Sequence, residues 1–227
     1  MATKKPLSLL CWMGMTQDTA SSELLDVLDK IFTSQDEAIT AYIESDPTAP
    51  RLTSHRGLFL FQQDEDKSIL LGSGQWPSSA VCQDWFANEF PSKLQAELEP
   101  LYRADVFEVV LMEDLIFPEA PADDAGALSN TSRLEIFRWR VAADKKGEFD
   151  AAAKAFEAKR READQSTTFG AWRLDDWPPR DDSDTVKEYI VVTNVGGGDG
   201  PLPSSPEEEA CNKLAVSADK KHFTKAV

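Results

Sequence analysis

Histidine and cysteine are scarce in this sequence, and its basic residues are far outnumbered by acidic ones. Its 227 residues carry 24 Lys and Arg against 40 Asp and Glu, a formal net charge of -16. Nucleic-acid binding needs a basic stripe that neutralises phosphates. The densest basic cluster, Lys154, Lys159, Arg160 and Arg161, is interleaved with Glu157 and Glu162 and reads as the solvated face of a helix. No nucleic-acid partner is expected. The same charge disfavours an anionic membrane surface, and no apolar run approaches the ~18 residues of a spanning helix, so no membrane partner is expected either.

The three cysteines, Cys11, Cys82 and Cys211, are odd in number and far apart, unlike the disulfide framework of a secreted domain. The apolar run Leu7 to Met15 is followed at once by Thr16, Gln17 and Asp18, with no small-residue cleavage site, and reads as a buried strand rather than a signal core. A reduced, cytoplasmic compartment is the expectation. With only His55 and His222, and no His-Glu-x-x-His or Cys-x-x-Cys pattern, no metal site is expected. The glycine tract at Gly196 to Gly200 lacks the spacing and the Lys-Ser/Thr of a phosphate loop. The acidic stretch from Asp175 to Asp184 lacks the closing Glu of a calcium loop, and both tracts read as loops.

What is present is periodicity. A strand over Leu7–Met15 precedes a helix with capping oxygens at Ser21-Ser22 and an apolar stripe of Leu24, Leu25, Leu28, Ile31 and Phe32, running to about Ile43 with a break expected at Thr33-Ser34. The stretches 55–62 and 68–72 flank a polar turn and read as a hairpin. Pro77-Ser78-Ser79 opens a second helix, with a break expected at Pro91, and Val106 to Met112 is the fourth strand. The order strand, helix, strand, strand, helix, strand is that of a ferredoxin-like unit, residues 1–116. A Pro, Ala, Asp and Ser-rich linker follows over 117–132. The pattern then repeats over 133–227, with strands at 134–141, 169–174 and 188–194, helices from Gly147 and Pro206, and a last strand from His222.

The stretch Leu70 to Trp85 (LLGSGQWPSSAVCQDW) and the later segments FRWRVAADKKGEFDAA, FGAWRLDD and EYIVVTN resemble fungal tandem proteins of the dimeric α+β barrel superfamily, related to antibiotic biosynthesis monooxygenase domains. The resemblance spans nearly the whole chain. It implies an α+β fold of two ferredoxin-like repeats packed as an intramolecular dimeric α+β barrel, and two such pseudo-dimers could pair as a homodimer. It also implies a cofactor-independent enzyme of fungal secondary metabolism, acting on an aromatic or polyketide-like hydrophobic small molecule as a monooxygenase, cyclase or decarboxylase. The alternative is a non-catalytic ligand-binding or stress-response interaction protein. Relatives often carry a His after the Trp-x-Ser turn and another in the strand that closes the first unit. Here those positions read Cys82 and, approximately, Leu111, which favours the alternative.

Fold does not fix function, so the site is argued from residues. The resemblance implies a ligand held between the sheet and the helices, with Trp12, Phe59, Trp76, Trp139, Trp172 and Tyr189 as candidate walls; plain core is the competing reading for each. His55 is the candidate general base, against a surface or structural role, while His222 is set aside because chain ends fray. Arg138 and Arg140 share a strand face with Leu134 and Ile136 and are candidates to hold an enolate through two hydrogen bonds. The competing reading, preferred for these arginines, is an ion pair with Glu108 or Glu135 between the halves. Cys82 has no basic neighbour and reads as packing.

Overall fold

The run of Leu, Cys, Trp and Met in strand β1 (Leu7–Met15) is buried along almost its whole length, because the strand is central and paired on both sides. The computed structural model describes residues 5–17, 20–50, 52, 56–115, 131–164, 167–174, 182, 184–195 and 204–226. Helix α1 (Ser22–Ser45) starts where the Ser21 side chain accepts from the Leu24 N–H at 3.1 Å. It runs unbroken through Thr33-Ser34, since Leu24, Val27, Leu28, Ile31, Gln35 and Ile39 keep one buried face throughout. The hairpin forms as β2 (Phe59–Gln63) and β3 (Ile69–Trp76), and β3 extends through Gly72-Ser73-Gly74. Helix α2 (Ser79–Lys93), capped by Ser78, continues past Pro91 and gives way at Leu94 to the single turn α3 (Gln95–Leu98). Strand β4 (Tyr102–Met112) completes this half.

The second half runs β5 (Arg133–Ala142), α4 (Lys146–Asp164), β6 (Thr168–Trp172), β7 (Val186–Asn194), α5 (Pro206–Leu214) and β8 (Ala215–Lys225). The last strand begins seven residues before the expected His222. Its opening stretch, Ala215 to Lys221, has no apolar alternation, and pairing with β5 from Val141↔Ala215 onward imposes the extended state. The expected linker lies outside the described residues except for Thr131 and Ser132, as does the Gly196 to Gly200 tract.

All eight strands form one sheet in the order β4-β1-β3-β2-β8-β5-β7-β6, with antiparallel neighbours. Each run of four places the fourth, first, third and second strand of its half side by side, the ferredoxin-like order. The halves join at β2 and β8 through Phe61↔Lys225, Gln62↔Thr224 and Gln63↔Phe223. They meet again where the sheet's two outer strands approach, at the Met112↔Arg173 bridge, with Leu174 N–H donating to Leu111 O at 2.8 Å.

Strand alternation divides the core into three layers. One lies between the first half's helices and its strands, around Leu9, Met13, Trp76 and Trp85. A second is built from strand residues of both halves, among them Leu10, Trp12, Val110, Ile136, Ile190 and Phe223. The third lies under α4 and α5, around Phe137, Trp139, Phe149, Phe156 and Tyr189. No described helix is long and apolar enough to cross a membrane.

Candidate functional site

Between α1, α2 and the first half's strands lies an apolar recess of about 60 Å³, walled by Cys11, Met13, Trp85 and the half-buried rings of Phe32, Phe86 and Phe90. One polar side chain is built into the apolar stripe of α1 and lines this recess. It is Gln35, only 5% exposed. Close by, the buried Trp76 Nε1 has no hydrogen-bond partner among the described residues. Both side chains approach Gly74: a Cβ added there would stand 3.9 Å from Gln35 Oε1 and 3.9 Å from Trp76 Nε1. An unpaired buried polar group costs ~1–3 kcal/mol, so Trp76 Nε1 is a donor left available beside the recess.

The other polar atoms nearby are already used. Ser73 donates its hydroxyl to Gly57 O at 2.6 Å, and Trp85 Nε1 donates to Ser34 Oγ at 3.0 Å. Burial, together with the charge of Glu108, pushes the Cys11 thiol up to about 12, and burial raises Cys82 well above its usual range. Neither is a nucleophile near neutral pH, in line with the packing role expected for Cys82. Among the described residues no group of three or more His, Cys, Asp or Glu side chains could hold a metal ion.

The sequence-derived candidates are scattered over three layers rather than gathered at one point. Trp76 lies in the same core layer as the recess without lining it. Trp139, Trp172 and Tyr189 lie in the second half's helix layer, and each of the three polar handles is met: Trp139 Nε1 donates to Asn212 Oδ1 at 2.8 Å, Trp172 Nε1 to Asp150 Oδ1 at 2.8 Å and Tyr189 Oη to Glu157 Oε1 at 2.6 Å. Burial and the Glu157 carboxylate push the Tyr189 phenol up, so it stays protonated. Phe59 is half-buried under the Lys225 ammonium, 4.8 Å from its ring centre. His55 lies outside the described residues.

Trp12 and Arg138 are brought together, with the guanidinium 4.5 Å over the indole. That guanidinium takes the ion-pair course. Nη1 and Nη2 donate to Glu108 at 2.8 and 2.9 Å, and Nε donates to Glu188 Oε1 at 2.8 Å. Arg173 completes the network, bonding Glu108 at 2.8 Å and Glu188 at 3.2 Å. Burial pushes the Glu108 carboxyl up, but hydrogen bonds and charge from the two arginines outweigh it and hold it below the usual range. As placed, Arg138 ties the halves together and its donors are occupied, which leaves no free edge for an enolate. Arg140 is half-exposed and pairs with Asp182.

Two features escaped the sequence reading. His222 is not at a frayed end: it sits within β8, Nδ1 2.6 Å from Glu65 Oε1 and Nε2 3.1 Å from Glu135 Oε1, so it bridges the halves. Glu135, fully buried, also pairs with Arg160 and, at 2.8 Å, with Lys220. Gln35 was visible as the one polar residue on the buried stripe of α1, but only packing reveals that it lines a recess.

No family model matches the chain, and no curated protein matches it. Among solved structures it is similar to a candidate monooxygenase from Lactobacillus acidophilus, at 9% identity over 98% of this chain and 95% of the other, with a TM-score of 0.51. It is also similar to a candidate monooxygenase from Fusobacterium nucleatum, at 7% identity over 99% and 94% of the two chains, with a TM-score of 0.58. An anthrone oxidase-like protein aligns at 12% identity over 99% and 92%, with a TM-score of 0.54. At such identities the likeness is one of fold, and it defines the class: a ferredoxin-like α+β architecture shared with monooxygenase-type proteins.

Proposed function

We propose that this protein is a monooxygenase-type enzyme that binds an aromatic or polyketide-like small molecule in the first-half recess, as part of fungal secondary metabolism. The observation that carries the reading is the buried Trp76 Nε1, a donor with no hydrogen-bond partner among the described residues, which closes on Gly74 together with Gln35 of the recess wall. The proposal includes the architecture implied by the resemblance, two ferredoxin-like repeats over 1–116 and 133–227 joined by 117–132 and folded on each other as an intramolecular dimeric α+β barrel. What supports it is the same strand order in each half and the meeting of the outer strands at Met112 and Arg173.

In this reading no cofactor supplies electrons; the substrate does. An anthrone-type ketone loses a proton from the ring methylene opposite its carbonyl, conjugated to it through the flanking rings, and the resulting enolate oxygen accepts from the Gln35 amide and the Trp76 N–H in a site that the aromatic walls keep dry. Dioxygen then takes up electrons from the enolate. For anthrone, C14H10O and O2 become anthraquinone, C14H8O2, and water. His55 stays the proposed base; the chain after it is held beside Gly74, with Arg56 O accepting from the Gln75 N–H at 2.7 Å and Gly57 O accepting from Ser73. Ligand pockets typically run ~300–1,000 Å³, so a ring-sized substrate enters only when Phe32, Phe86 and Phe90 swing outward.

The second reading, a non-catalytic ligand-binding or stress-response protein, draws support from the small size of the recess and from a thiol held far from reactivity. An oxygen electrode separates the two. Anthrone under air should be consumed with one O2 per molecule and yield anthraquinone, and Gln35→Leu should lower the rate at least about tenfold, the effect of losing one oxyanion donor. Binding of anthrone without oxygen uptake would support the second reading. Neither binding nor uptake would sink the site itself.

A further inference from the structure

We propose a second ligand site, at the junction of the two halves, that takes a small zwitterion with an apolar side chain, the size of phenylalanine. Strand β1 separates it from the first recess: Cys11 and Met13 face that recess, while Trp12 points the other way. Here a cavity of about 270 Å³ opens among strands of both halves. That is the space of roughly nine liquid waters, which a molecule of about a dozen non-hydrogen atoms fills. Its apolar floor is Trp12 and Ile69 from one half and Ile136 and Phe223 from the other.

Two independent observations give the cavity a chemistry. The first is Gln63, on the inward face of β2 opposite Phe223, a residue only 7% exposed that lines the cavity. A carboxamide offers both a donor and an acceptor, so it suits a head group of either sign. The second is the rim. Along its inward face β8 presents Asp219, Lys221 and Phe223 in alternation, a carboxylate, an ammonium and a ring, and Asp105 stands across from them on β4.

The wall formed by Arg138 and Glu108 is already neutralised within its own network, which leaves Asp105, Asp219 and Lys221 to meet a ligand. Their present contacts are exchangeable: Lys221 to Asp219 spans 3.3 Å and Arg103 to Asp105 spans 4.0 Å, all on exposed or half-exposed side chains, and such pairs contribute ~0–1 kcal/mol. An amino acid fits this pattern with its ammonium at the aspartates, its carboxylate at Lys221, its ring on the floor and Gln63 bonding the head group. A purely cationic or anionic molecule leaves part of the rim unanswered.

Calorimetry of the full chain with L-phenylalanine tests this. One molecule should bind per chain, and 2-phenylethylamine and 3-phenylpropanoate, each lacking one head group, should bind at least about tenfold more weakly. Gln63→Leu should weaken phenylalanine about tenfold, the loss of one hydrogen bond to a charged group. Lys221→Gln, at the half-exposed rim where folding is not at stake, should bring phenylalanine down to the level of 2-phenylethylamine. No binding of phenylalanine at 10-fold excess over ~1 mM, or equal binding of either truncated analogue to the unmodified protein, overturns the assignment, as does unchanged affinity in Lys221→Gln.

Discussion

The helix layers of the two halves are built from the same kinds of residue and finished differently. Under α4, the rings of Phe137, Trp139, Phe149, Phe156, Trp172 and Tyr189 contact one another at centroid distances of 4.9 to 5.8 Å, and each indole or phenol donor finds an acceptor. Under α1 and α2, Trp76 and Trp85 also pack closely, at 5.7 Å, yet Trp76 Nε1 is left without an acceptor among the described residues and Gln35 lines an apolar recess. Aromatic content is therefore common to both layers. What differs is the ring donor left unpaired in the first, a group that a core evolved only to be stable would pair or lose.

The largest test of this contrast compares two phenylalanines. Phe156→Ala, in the second half's fully buried cluster, should lower stability by ~3–5 kcal/mol, whereas Phe86→Ala, on the half-buried wall of the recess, should cost about 1 kcal/mol. Urea unfolding of both variants measures the difference, and equal losses would break the comparison. A smaller effect should come from Gly170→Ala. A Cβ at that position would stand 2.4 Å from Glu157 Oε1 and 2.7 Å from Tyr189 Oη, so the Tyr189 to Glu157 bond must give way. A destabilisation of ~1–3 kcal/mol is expected; a neutral outcome would show that the second half's layer is looser than described. Smallest is Gln35→Leu. Replacing an amide on the wall of an apolar recess by a hydrocarbon of similar size should leave stability unchanged or raise it by up to about 1 kcal/mol. A clear loss in the same unfolding assay would mean that Gln35 is held by the protein itself.

How much of this was legible depends on the range of the interaction. Strand β1 reads correctly to the residue, since a buried run bounded by turn formers is a local signal. Helix α1 reads correctly in kind, and the break expected at Thr33-Ser34 does not occur because the buried stripe on either side is continuous. The first seven residues of β8 were not legible: the stretch is polar, and only a neighbouring strand makes it extended. His222 was misjudged for the same reason, since position near a chain end says nothing about pairing on both flanks. For Arg138 the residue and the partner Glu108 were within reach, but Glu188 and Arg173 enter the network only once four strands have been brought side by side. The tryptophans were recognisable as strand residues. Which layer each one fills depends on strand parity across a sheet whose two faces the sequence does not label.

Sequence by itself determined that this chain is acidic, poor in metal-binding residues and assembled from strands and helices in a ferredoxin-like order, because charge and apolar period are properties of neighbours along the chain. Tertiary structure decided which polar groups come to line a recess. Gln35 and Gln63 are chemically the same residue as any other glutamine in this sequence, and what sets them apart is a buried place on a recess wall. That placement arises only when segments far apart in sequence close around a side chain.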